Sequence, residues 1–148
     1  MTTKEELDRI AQTVSEAAGD HRYTTDYYLL RYGFRMMLPR LKGPRVLELG
    51  CASGGVTRLL AGQFADLTVV DGSAALLEEA KRNVGRDGIE WHCALFEEFQ
   101  PREKFDAIVM AHVLEHLDDP VSILRRAGGW LAPGGSIHAI VPNAGSMN

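Results

Sequence analysis

Two carboxylates, one histidine and a run of small residues carry the chemistry open to this sequence. Glu48 stands two residues before Gly50, in the stretch Gly50-Cys51-Ala52-Ser53-Gly54-Gly55, and Asp71 follows in Val69-Val70-Asp71-Gly72-Ser73. Glycines and alanine let a chain reverse, and let a ligand lie against bare backbone and its free N–H groups. A carboxylate about 20 residues beyond such a turn is where doubly wound folds hold ribose hydroxyls. It accepts both cis-diol protons, through charge-assisted bonds of roughly 1.5 to 3 kcal/mol. The competing role for Asp71 is to cap a helix starting near Ser73. His112, in Met110-Ala111-His112, carries an imidazole that could take a proton from a hydroxyl or an amine. Its competing role is packing on a bound cofactor. Together these groups describe a site for a nucleotide-like molecule.

The spacing Gly50-x-Ala52-x-x-Gly55 matches a dinucleotide fingerprint with its second glycine replaced, which leaves an NAD-dependent oxidoreductase open. With Glu48 the stretch reads E-x-G-x-A-x-G through Gly54, and this resembles the first motif of class I S-adenosylmethionine-dependent methyltransferases. Two more segments agree. Phe105-Asp106-Ala107-Ile108 through Leu114-Glu115-His116 to Asp119-Pro120 is similar to the fourth-strand motif of small-molecule methyltransferases such as those of quinone biosynthesis. Leu131-Ala132-Pro133-Gly134-Gly135 resembles the turn leading into that family's fifth strand. The resemblance covers roughly residues 43 to 142.

It implies S-adenosylmethionine as cofactor, with S-adenosylhomocysteine as product, and methyl transfer to a small-molecule acceptor. Glu48, Gly50, Cys51, Ala52, Gly54, Asp71 and Gly72 would line the cofactor. The family often places an acid against the adenine amino group; Ala94 or Leu95 stands there instead, so Leu95 and Phe96 would hold the ring by backbone and apolar contact. Family members also fold the segment before the first strand over the cofactor, which brings in Tyr23, Tyr28 and Arg31.

The elements that must position these groups alternate. Residues 3–18 carry Leu7, Ile10, Ala11 and Val14 on one helical stripe, and a second helical pattern runs from Thr25 to Leu41. Strands are expected at Arg45–Leu49, Leu67–Asp71, Ile89–Ala94, Phe105–Met110 and Gly135–Val141. Helices are expected at Gly54–Phe64, Ser73–Val84 and Pro120–Trp130. Strands separated by helices give a Rossmann-like, doubly wound, mostly parallel α/β sheet in the order 3-2-1-4-5. Ala111 and His112 then emerge at the carboxyl end of the fourth strand, where open sheets bind ligands. Asp106 enters that strand at the far end, in a structural place. Glu115 and His116 read as part of the turn before Asp118-Asp119-Pro120, and no metal site is expected.

At 148 residues and net charge −4 the chain reads as a single unit with no basic footprint for nucleic acid. Residues 1–42 would form a helical lid on a core at 43–148. No stretch is apolar for long enough to span a bilayer, and charges break up the first 20 residues, so a cytoplasmic protein is expected. Cys51 and Cys93 have no disulfide or zinc spacing and read as reduced thiols. The resembling fold carries two further strands after the fifth, which this sequence does not supply. That leaves an open edge on the fifth strand for a second copy, and keeps a non-catalytic cofactor-binding fragment or assembly module as an alternative.

Overall fold

The computed structural model describes residues 25–142. The helix expected at 3–18, Tyr23 and the residues after 142 lie outside the described residues. The described elements are α1 (Thr25–Met37), β1 (Arg45–Leu49), α2 (Gly55–Ala61), β2 (Asp66–Asp71), α3 (Ala74–Val84), β3 (Glu90–Cys93), β4 (Phe105–Ala111), α4 (Pro120–Trp130) and β5 (Leu131–Ile140). The five strands are all parallel, in the order β3-β2-β1-β4-β5, as the alternation of strand and helix requires.

The central strands are apolar because both their faces are covered. In β1 the period of two sends Val46 to one core, with Val69, Val109, Leu60 and Leu77. It sends Leu47 and Leu49 to the other, with Val70, Ile108, Met110 and Ile123. α1, α2 and α3 cover the first face through Phe34, Met37, Val56, Leu60, Leu77 and Ala80. α4 covers the second through Ile123, Ala127 and Trp130. Each of these large side chains contributes roughly 1.5 to 3 kcal/mol by leaving water. β1 and β4 therefore form a rigid floor whose carboxyl ends carry the residues of interest.

Local chemistry sets the boundaries. Ser73 caps α3, its hydroxyl accepting the Leu76 N–H at 3.2 Å, and Gly85 ends it in a left-handed conformation. Asp119 caps α4 in the same way, accepting the Ser122 N–H at 3.0 Å. At the entry of the sheet Asp106 Oδ2 accepts the Arg45 N–H at 3.0 Å, which ties β1 to β4 and gives Asp106 its structural role.

Several expected boundaries shift. The helix expected at Thr25–Leu41 stops at Met37 and tightens to a 3-10 turn at Leu38–Arg40, where Pro39 lacks the N–H to continue it. The helix after the glycines is shorter than Gly54–Phe64, because Gly54 sits at φ +89° outside it and a closing turn follows Ala61. β3 keeps only four residues of Ile89–Ala94. β5 begins at Leu131, directly after α4, so Pro133-Gly134-Gly135 lies inside the strand and does not lead into it. Phe105 pairs with Leu131 and Ala107 with Ser136, and the chain between loops out of register. Gly134 at φ +81° makes that bulge possible.

Candidate functional site

The glycine segment leaves β1 at the point where the strand order reverses. Gly50 N–H donates to Val70 O at 2.8 Å, and Gly54 N–H donates to Cys51 O at the same distance. Between them Ala52 is held at φ +44°. Asp71, at the end of β2, explains how that shape is held. Its Oδ2 accepts the Cys51 N–H at 2.9 Å and the Ala52 N–H at 3.3 Å, while Oδ1 accepts the Ser73 N–H at 2.9 Å. The side-chain cap of the helix comes from Ser73, so the capping role does not fall to Asp71. Asp71 is first of all the clamp of the glycine segment.

Gly50 has to be glycine. At φ +78° a Cβ there would lie 2.5 Å from Val113 Cγ2, with Phe96 Cζ at 3.8 Å. That close approach gathers the end of β1, the segment after β4 and the segment after β3 into one place. Gly54 does the same between helices, since its Cβ would lie 3.0 Å from the Ala80 backbone of α3.

Beneath the segment lies Glu48, 0% exposed, on the face of β1 that also carries Val46. Among the described residues neither of its carboxyl oxygens has a hydrogen-bond partner, and the buried Thr57 hydroxyl of α2 has none either. Burial raises the carboxyl to about 8; the Thr57 hydroxyl, near it but outside hydrogen-bond geometry, offsets part of the rise, and the Asp71 charge adds to it. A buried acceptor left unpaired is costly, so this carboxyl points to a ligand or water that completes it. Cys51 is buried beside it, and its thiol is pushed up by burial and by the charges of Asp71 and Glu48.

At the end of β4, Ala111 is part-buried and His112 turns the chain with φ +55°. His112 N–H donates to Ile140 O of β5 at 2.8 Å. Its Nδ1 lies 3.3 Å from Glu115 Oε1, in the 3-10 turn Leu114–His116. Sequence reasoning left Glu115 to that turn; the spacing of three from His112 was the available signal. On the β3 side, Leu95 and Phe96 are part-buried, and Leu95 O closes a turn by accepting the N–H groups of Glu98 and Phe99. Cys93 is exposed, its thiol 3.9 Å from Gly72 O. Tyr28 and Arg31 lie on the exposed side of α1. The α1 residue that meets the glycine segment is Leu30, whose Cδ2 would lie 3.3 Å from a Cβ on Gly55.

A parallel sheet with this strand order, a glycine segment at its switch point and an acid closing the second strand define a domain that binds a nucleotide-like cofactor. The chain belongs to the family of methyltransferase domains, whose model matches residues 21–147. It is 35% identical over 97 residues to a ubiquinone biosynthesis O-methyltransferase of Bradyrhizobium sp. (strain ORS 278), covering 64% of this chain and 38% of that protein. It is 34% identical over 125 residues to nodulation protein S of Rhizobium tropici, covering 80% and 51%. Among solved structures it resembles the N-methyltransferase NodS of Bradyrhizobium japonicum WM9 in complex with S-adenosyl-L-homocysteine. That match has a TM-score of 0.78 and 26% identity, and covers 94% of this chain and 72% of that one. The chain thus spans well under two thirds of the length of the curated relatives it matches.

Proposed function

We propose that this chain is the cofactor-binding core of an S-adenosylmethionine-dependent methyltransferase acting on a small-molecule acceptor. The observation that carries the reading is the fully buried, unpartnered Glu48 carboxyl beneath a glycine segment clamped by Asp71. Membership of the methyltransferase family supports it, as do relatives solved with S-adenosyl-L-homocysteine or with SAM.

The residues fit such a cofactor. Gly50 and Gly54 keep the backbone bare at the turn. A carboxylate offers about four acceptor positions, of which three N–H groups fill three at Asp71, so Oδ1 keeps one for a ribose hydroxyl. Glu48 is the acceptor for a cationic amino group, and Leu95 and Phe96, with Gly72, border the adenine side. The cofactor brings its own activated methyl. The chain's part is to orient the acceptor and exclude water, which makes proximity the main catalytic term. His112, 43% exposed at the carboxyl end of β4, receives the proton that an acceptor hydroxyl or amine gives up.

The finer readings rest on this one. The segment from α1 to residue 42 acts as a lid beside the core that begins at 43, with Tyr28 and Arg31 on the cofactor side. A cytoplasmic location is supported by two free thiols, one of them exposed. No helix among the described residues is long and apolar enough to cross a membrane. A second copy pairs along the free edge of β5.

Calorimetric titration with S-adenosylmethionine, S-adenosylhomocysteine and NAD in one buffer tests the reading. Saturable binding of the first two alone is expected. Binding of NAD alone would replace it with a nicotinamide-dependent oxidoreductase, and no binding at all would overturn it.

A further inference from the structure

We propose that Glu115 is the positioning residue of His112, holding the imidazole as its Nδ1–H tautomer so that Nε2 presents the lone pair. The proposal rests on the reading of His112 as the proton acceptor and supplies what that reading lacks, a reason for the nitrogen to be poised.

Three observations meet at this point. His112 is one of two non-glycine residues among the described ones with positive φ, at +55°. Such a conformation persists only when the surroundings over-determine it, and it recurs at functional sites. The surroundings do so here. On one side the His112 N–H is fixed to Ile140 O at 2.8 Å; on the other, Val113 is buried and closes over Gly50. The left-handed turn then feeds directly into the 3-10 turn Leu114–His116, which carries Glu115 back until Oε1 stands 3.3 Å from His112 Nδ1. An extended residue at 112 would carry the chain away and lose the contact. The strained backbone is thus what brings an imidazole and a carboxylate three residues apart within ion-pair distance.

A carboxylate beside Nδ1 favours the proton on that nitrogen, which leaves Nε2, across the ring, as the acceptor. When the acceptor's hydroxyl or amine loses its proton, that proton adds to Nε2, and the Glu115 carboxylate pairs with the resulting imidazolium. The imidazole is 43% exposed, so the ring can hand the proton on to water. Glu115 need not touch acceptor or cofactor.

The test reads the ring directly and needs no acceptor. Nitrogen-15 spectra of the histidines in the whole chain, with His112 assigned by loss of its signals in His112→Gln, report which ring nitrogen carries the proton. The expected result is Nδ1–H at His112 in the unaltered protein and a shift to Nε2–H, the form an unconstrained imidazole prefers, in Glu115→Ala. Glu115→Gln keeps an oxygen that can accept from Nδ1–H and should restore the wild-type tautomer. An Nε2–H tautomer in the unaltered protein overturns the proposal without recourse to any variant, and an unchanged tautomer in a folded Glu115→Ala overturns it equally. Titration of the same unaltered sample with S-adenosylmethionine bears separately on the methyltransferase reading. Failure to bind would remove that reading and leave the tautomer result standing.

Discussion

At the scale of single residues, Glu48 makes the sharpest claim. Its carboxyl ionises near 4.5 in an unfolded chain and at about 8 here, so between those values the folded protein holds a proton that the unfolded chain releases. Stability is therefore highest below pH 4.5 as far as this group is concerned. It falls as pH rises through the window, by up to about 1.4 kcal/mol per pH unit. Urea unfolding of the wild type and of Glu48→Gln at pH 5.5 and pH 7.5 should show a steeper loss in the wild type; parallel losses would mean that Glu48 is already ionised. Asp71 is different, because its charge is spent on three N–H groups. Asp71→Ala should lower affinity for S-adenosylmethionine by about 2 kcal/mol, near thirtyfold in a calorimetric titration, and should also speed amide exchange at Cys51 and Ala52. Exchange without the affinity loss would leave Asp71 a clamp and nothing more. Spacing after the glycine turn pointed to Asp71 because it is tied to a strand end, while Glu48 stood out only through the motif resemblance. Spacing could not show Glu115 meeting His112, since that contact depends on a backbone angle no residue type announces.

At the scale of elements, the alternation of strand and helix was legible because the buried strands are short unbroken apolar runs, Val46-Leu47, Val69-Val70 and Ile108-Val109-Met110. Where the chain departs from regular geometry the reading slipped. Pro133-Gly134-Gly135 has turn residues but folds as a bulge inside β5, and Pro39 cuts a helix that its apolar pattern would continue. The glycine segment offers a controlled comparison. Gly50 and Gly88 have nearly equal angles, φ +78° and +80°, yet a Cβ on Gly50 meets Val113 at 2.5 Å and one on Gly88 meets nothing within 4 Å. Both alanine variants carry the backbone strain, but Gly50→Ala adds a collision, and should cost about 1 to 3 kcal/mol more in thermal or urea unfolding. Equal losses would show that Val113 moves aside freely.

At the scale of the whole molecule, β5 is an edge strand without a single charged residue over Leu131–Ile140, and among the described residues no strand lies beyond it. Edges of this kind pair with other chains unless a charge discourages it. This chain should self-associate with rising concentration in light scattering, and Ala139→Lys, at an exposed position of β5, should return it to the monomer. A monomer at all concentrations in the wild type would remove the edge as an interface. The two cysteines have a consequence of another kind. Cys51 is buried within the clamped segment with its thiol made harder to ionise, while Cys93 stands exposed at the end of β3, in register with Asp71. A maleimide dye added to the folded protein should therefore attach once, beside Gly72, and a second time only after denaturation. The fold thus carries a ready-made anchor for a fluorescent reporter at the rim of the proposed binding site.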